Sequence, residues 1–199
     1  MTAVTDPARE QDAFEALFRP IVSMAYGTAV RLTRDRTEAE DLVQDAALLA
    51  FRAFGSFQQG TNFKAWFFRI LTNAFYSRHR KNKHERANVS TEDLPALYLY
   101  SRTAEIGLHS SEPDPAAAMM DRFDSEHVAE ALDALPTEYR VVATLYFIED
   151  FSYQQIADVV GCPVGTVRSR LHRGRRMLQK ALWRVAQERG IVPSSDTQH

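Results

Sequence analysis

Three observations predict an all-α chain of two small helical domains joined by a flexible acidic linker. Strand signals are poor: alternating β-branched runs and Asn-Gly or Asp-Gly hairpins are absent, and there are only eight glycines to make turns. Apolar residues recur at helical spacing over residues 10–83 and again over 123–187. Between these stretches, residues 84–122 lose the periodicity, interrupted by Pro95, Gly107, Pro113, Pro115 and several serines. They read as a linker, with short helical pieces around Leu97–Tyr100. Residues 188–199 read as a frayed tail.

In chain order, Phe14, Leu17, Phe18, Ile21 and Val22 mark a first helix. Pro20 lies inside that pattern and predicts a break or kink, because its ring removes an amide donor and crowds the preceding turn. Tyr26, Ala29, Val30 and Leu32 extend the apolar face toward Arg34. Thr37 is the expected cap of the next helix. Glu38, Glu40 and Asp41 fall in its first turns, where the helix dipole favours acids. Its expected buried face is Leu42, Val43, Ala46, Leu49, Ala50, Ala53 and Phe54. A loop from Gly55 to Asn62 precedes a third helix that buries Phe63, Trp66, Phe67, Ile70, Leu71, Ala74 and Phe75. This helix ends in the basic run Arg78-His79-Arg80-Lys81-Asn82-Lys83.

In the second domain, Val128, Ala131, Leu132 and Leu135 form one face, Pro136 punctuates, and a strongly apolar helix runs from Glu138 to Ile148. A helix-turn-helix follows. Ser152 and Gln155 have the spacing of a capping box. Gly161 supplies the left-handed backbone that ends a helix. Pro163 starts the next one, since its fixed φ suits a first turn. Val164, Val167 and Leu171 mark the buried side of this second helix, and Arg168, Arg170, Arg173, Arg175 and Arg176 fill the rest.

The formal net charge of −2 conceals segregation. Residues 59–86 hold seven Lys/Arg against one acid, residues 87–135 hold two against ten acids, and residues 163–187 hold seven and no acid. An amphipathic helix with one wholly cationic face has few uses other than binding a polyanion. A single cysteine excludes an internal disulfide. The N-terminus lacks a basic-then-apolar signal, and no apolar run approaches about 18 residues, so a soluble, cytoplasmic protein is expected.

If Val167 and Leu171 are buried, Arg168, Ser169, His172 and Arg173 face a DNA groove, while Arg170, Arg175, Arg176 and Lys180 suit phosphate contacts. The bland alternative is a solvated basic face. For Trp66, Phe67 and Phe75 core packing is the better account. Phe68 and Tyr76 lie off the main stripe, and exposed rings beside cations suit single-stranded nucleic acid. The acids Glu38, Glu40, Asp41 and Asp45 fit a metal or acid–base site, a solvated face or a partner surface, and spacing does not choose among them. Cys162 has no second cysteine near it and the histidines form no ligand-spaced cluster, so no metal, cofactor or catalytic residue is expected. No P-loop, nucleophile elbow or Gly-rich dinucleotide loop occurs.

The order AEDLVQDAALLAFRAF, FQQGTNFKAWFFRILTNAFYSRHRK, an acidic linker, then ALDALPTEYRVVATLYFIEDFSYQQIADVVGCPVGTVRSRLHRGRR resembles the extracytoplasmic-function sigma factors of bacterial RNA polymerase. The likeness covers roughly residues 10–83 and 124–183. It implies a region 2 domain over 10–83, a linker over 84–122 and a region 4 domain over 123–187. Asp41, Gln44 and Asp45 match the surface that docks on core polymerase. Phe57, Thr61, Asn62, Phe68 and Asn73 match the element that opens the −10 region and captures a flipped base, with Arg78, Arg80 and Lys81 on the DNA backbone. The helix-turn-helix matches the reader of the −35 duplex, and the linker matches the segment threaded toward the RNA exit. The resemblance also implies an anti-sigma partner.

The chain departs from the family's pattern at two positions. The family often has Ser or an aliphatic residue where Cys162 stands, and Ala in place of Gly174. Glycine weakens a helix by about 1 kcal/mol, which predicts a bend or fray at the phosphate-facing end. Two other readings compete. A stand-alone dimeric helix-turn-helix regulator requires palindromic half-sites and leaves residues 37–83 unexplained. A helical enzyme using the acids at 38–45 requires a metal-ligand cluster that the sequence does not supply.

Overall fold

A computed structural model describes residues 7–86 and 125–188, and side chains from Ala8 to Arg80 and from Val128 to Arg184. The expected linker pieces around 97–100 lie outside the described residues. The elements are α1 (Pro7–Phe18), a 3-10 turn (Arg19–Ile21), α2 (Val22–Thr33), α3 (Arg36–Ala53), a second 3-10 turn (Phe54–Ser56), α4 (Phe63–Arg86), α5 (Ser125–Asp133), α6 (Thr137–Phe147), α7 (Tyr153–Val160) and α8 (Val164–Glu188). Among the described residues there is no strand. No described helix is long and apolar enough to cross a membrane.

The chain divides into two compact units, one built on α1–α4 and the other on α5, α6, the body of α7 and α8. In the first, Pro20 breaks the opening helical pattern as expected, converting Arg19–Ile21 into a 3-10 turn. α2 packs on α3, and α3 on α4. Ala25 and Ala29 of α2 and Ala39, Ala46 and Ala50 of α3 have no exposed surface, so small side chains let these helices approach closely. The expected cap at Thr37 is corrected. Asp35 caps α3, its carboxylate accepting from the Glu38 amide at 2.8 Å. α2 ends at Thr33 with Arg34 as its C-cap, whose φ of 63° is left-handed, and that reversal leaves only Arg34 and Asp35 between the helices.

Phe14, Phe54, Phe57, Phe63 and Trp66 form a ring cluster with centroid spacings of 5.1–6.5 Å, mostly edge-to-face or tilted. It ties α1 and the loop after α3 to the first turn of α4. Two burial expectations fail in this unit. Leu49, expected to be buried, is 47% exposed, whereas Phe68, read as off the stripe, is fully buried. Helical periodicity identifies the centre of a buried stripe better than its edges.

In the second unit, Val128, Ala131, Leu132, Leu135, Tyr139, Ala143, Leu178 and Leu182 make the core. The turn between α5 and α6 is held from within: the buried Arg140 donates to the Leu135 carbonyl at 3.0 Å. α8 runs through Gly174 without interruption. Gly174 is buried, and a β-carbon there would sit 3.6 Å from Tyr139 Cβ and 3.7 Å from a Leu135 methyl, which is ordinary contact.

Two glycine substitutions therefore have opposite signs. Gly174→Ala, with space and helical backbone, raises stability by about 0.5–1 kcal/mol. Gly161→Ala, at a φ of +70°, lowers it by about 1 kcal/mol or more. Urea unfolding of both variants followed by helical circular dichroism tests the pair.

Candidate nucleic-acid interface

The helix-turn-helix is built as its sequence requires. The Ser152 amide donates to Gln155 Oε1 at 2.8 Å, and the Gln155 amide donates to Ser152 Oγ at 3.3 Å, so the capping box closes in both directions. After Gly161, the Pro163 carbonyl accepts from Thr166 and Val167 at 2.8 and 3.2 Å and starts α8. Val167, Leu171, Leu178 and Leu182 are buried along one side. That leaves Arg168, Ser169, His172, Arg176 and Lys180 exposed, with Arg170 and Arg173 half-buried. The Ser169 hydroxyl donates to the Thr166 carbonyl of its own helix at 3.0 Å, leaving its oxygen free to accept.

Arg175 is also half-buried, and it is engaged within the protein. Its guanidinium donates to Tyr153 Oη at 3.0 Å and lies 5.2 Å from the Tyr146 ring centroid and 5.9 Å from that of Phe147. Composition alone marks it as one more cation on a cationic helix; only tertiary packing distinguishes it.

In the first unit the residues assigned to −10 contact separate. Phe57 is 7% exposed, stacked on Phe54 at 5.9 Å and tilted against Trp66 at 5.1 Å. Phe68 is fully buried, so neither ring is an open stacking surface. Trp66 and Tyr76 are half-buried and keep part of their rings toward solvent. Thr61 and Asn62 are exposed at the start of α4, where Asn62 Oδ1 accepts from the Ala65 amide at 3.0 Å and the Thr61 hydroxyl donates to the Gln58 carbonyl at 2.7 Å. Asn73 and Arg80 are exposed further along α4. Lys81 belongs to α4, but its side chain lies outside the described residues.

Asp41, Gln44 and Asp45 are exposed on α3. Asp45 forms an ion pair with Arg78 of α4, and the same guanidinium donates to the Asp41 carbonyl at 3.0 Å. Arg78 is thus engaged with the acidic helix. Asp45, Leu48, Leu49, Arg52, Asn73 and Arg78 line a groove of about 470 Å³ between α3 and α4. The groove collects Asp45 from the docking set and Asn73 and Arg78 from the −10 set. Leu48 and Leu49, which the sequence reading did not single out for any surface, are exposed and line this groove. Their signal was an apolar stripe on α3 too wide for one buried face, with a Leu-Leu pair at its margin.

Cys162 is half-buried in the turn between α7 and α8, with an Arg170 Nη 4.0 Å from its Sγ. Burial pushes its thiol pKa up, partly opposed by the Arg170 charge. Among the described residues no group of three or more His, Cys, Asp or Glu is placed to hold a metal ion.

Comparison with known proteins gives a consistent pattern. A family model described as Sigma-70 region 2 matches residues 17–85, and one described as Sigma-70, region 4 matches residues 125–178. The chain is 34% identical over 190 residues to ECF RNA polymerase sigma factor SigE of Mycolicibacterium smegmatis, covering 94% of this chain and 69% of that protein. It is 31% identical over 174 residues to ECF RNA polymerase sigma factor SigW of Bacillus subtilis, covering 87% and 90%. Among solved structures, the sigma factor RpoE from Bartonella quintana, in complex with the anti-sigma factor NepR, aligns with a TM-score of 0.64 at 30% identity, covering 86% of this chain and 97% of that one.

The raised Cys162 pKa has a direct consequence, because the thiolate is the reactive form. At pH 7.5 the folded protein is expected to react with iodoacetamide more slowly than the same cysteine does in urea. Arg170→Ala slows it further by removing the opposing charge. Equal rates in folded and unfolded protein would overturn this assignment.

Proposed function

The chain belongs to the extracytoplasmic-function (ECF) RNA polymerase sigma factors, and on that premise we propose how its described surfaces recruit core polymerase to a promoter. It is an initiation factor and not a catalyst: its work is to bind, position and open DNA. The region 2 domain, over 10–83, acts at the −10 element and on core polymerase, and the region 4 domain, over 123–187, acts at −35. Localisation in the cytoplasm follows from working on that polymerase.

The observation that carries the −35 assignment is the exposed face of α8. Arg168, Ser169, His172 and Arg173 read base edges, and Arg170, Arg176 and Lys180 hold phosphates. At −10, Thr61, Asn62, Asn73 and Arg80 offer polar contacts around the partly exposed rings of Trp66 and Tyr76. Phe57 and Phe68 support that surface from the core. The α3–α4 groove, with Asp45 at its acidic end and Leu48 and Leu49 as its apolar side, together with the exposed Asp41 and Gln44 of α3, suits an amphipathic partner element of core polymerase. The same exposed apolar and charged surfaces suit an anti-sigma factor that covers them, and the similar sigma factor from Bartonella quintana is in complex with an anti-sigma factor.

Each DNA contact is weak alone, and polymerase raises the effective concentration of one for the other. Run-off transcription with core polymerase tests this: a promoter-specific transcript is expected only when the chain is present. Tight, sequence-specific binding by the isolated chain at physiological salt would overturn the proposal in favour of a stand-alone regulator. Within the holoenzyme, Arg173→Ala is expected to relax base preference at one −35 position by about 1–3 kcal/mol, while Arg176→Ala weakens all promoters alike and lowers the salt slope by about 1. Competition binding over a salt series separates the two. Asp45→Ala is expected to weaken association with core polymerase several-fold, measured by co-elution or fluorescence anisotropy.

A further inference from the structure

Arg175 stands in the most basic segment of the chain, yet it is turned inward. Its planar guanidinium covers Tyr146 and Phe147, the last residues of α6, and hydrogen-bonds the phenol of Tyr153, the first residue of α7. Those rings also brace one another: Tyr146 and Phe147 meet edge-to-face at 4.9 Å, and Tyr146 and Tyr153 lie 5.3 Å apart. One side chain of α8 is thereby tied to both preceding helices at the place where the helix-turn-helix leaves α6.

Apolar contacts along Val167, Leu171, Leu178 and Leu182 resist rotation of α8 but tolerate small sliding, because dispersion is non-directional. A guanidinium held within cation–π distance of two rings and donating to a phenol oxygen is directional. It sits two residues beyond Arg173 and three beyond His172. We propose that Arg175 is a positioning residue: it makes no phosphate contact, and it sets the register of Arg168, Ser169, His172 and Arg173 in the −35 groove. Base readout requires side chains held to within about 0.5 Å, which an apolar ridge alone does not guarantee. The proposal rests on the −35 assignment above.

The test uses holoenzyme reconstituted from core polymerase and the full chain, with promoter pairs differing by one −35 base pair, over a salt series. Arg175→Met and Arg175→Lys are compared with Arg176→Ala and with Tyr153→Phe, which removes one hydroxyl and preserves the core. A positioning role predicts that both Arg175 variants lose about five- to tenfold in discrimination between the paired promoters, since a single base-pair contact contributes about that much or more. It predicts an unchanged salt slope, and a smaller loss of discrimination in Tyr153→Phe. Phosphate contact predicts instead that Arg175→Met lowers the slope by about 0.9, as Arg176→Ala does, and that Arg175→Lys restores it. That outcome, or unchanged discrimination in both Arg175→Lys and Tyr153→Phe, overturns the proposal. If wild-type holoenzyme shows no preference between the paired promoters, the −35 assignment itself fails.

Discussion

The burial of a single ridge on α8 governs what the second unit can present. Val167, Leu171, Leu178 and Leu182 are buried along it, Leu178 and Leu182 join the core with α5 and α6, and Gly174 faces Tyr139 and Leu135. Each fully buried Val or Leu contributes about 1.5–3 kcal/mol. Rotating α8 by one residue, about 100°, would forfeit most of that. It would also carry arginines into an apolar interior, at several kcal/mol for each unpaired charge. The exposed set Arg168, Ser169, His172 and Arg176 is therefore a consequence of core packing. No contact with DNA is needed to create it, so the face is ready before a promoter is met.

The same logic shows why some features were legible in the sequence and others were not. Local chemistry was readable. The capping box at Ser152 and Gln155, the left-handed Gly161 and the break at Pro20 each involve residues within one turn, and each is found as expected. The helix start after Arg34 was misread because Asp35 and Thr37 are both good caps. What decides between them is that α2 runs on to Thr33, leaving Asp35 at the junction. Faces at the margins of a stripe were also misread. Leu49 and Phe68 differ from the expected sides because neighbouring elements, not periodicity, determine how wide each buried arc becomes.

Site residues follow the same division. The order of exposed residues on α8 depends on one helix and its ridge, so it could be written from spacing alone. The −10 set depends on tertiary folding of a loop. Phe57, four residues beyond α3, folds back to stack on Phe54 and Trp66, which makes it a wall of the aromatic cluster. Arg175 is the sharper case: five arginines between residues 168 and 176 are equivalent in composition, and only the placement of Tyr146, Phe147 and Tyr153 distinguishes one of them.

In the first unit, α3 and α4 share a groove whose wall mixes acids, leucines and amides. The pairing of Arg78 with Asp45 draws a residue expected on DNA into contact with one expected on polymerase. Under the proposed function, a partner that engages Asp45 competes for that ion pair. Such an exposed pair is worth little by itself, typically under about 1 kcal/mol, so it presents no barrier to docking. The Arg78 guanidinium also donates to the Asp41 carbonyl, lines the groove together with Asn73 and lies two residues from Arg80. Under the proposed function, docking on α3 and contact with a DNA backbone along α4 thus share one side chain.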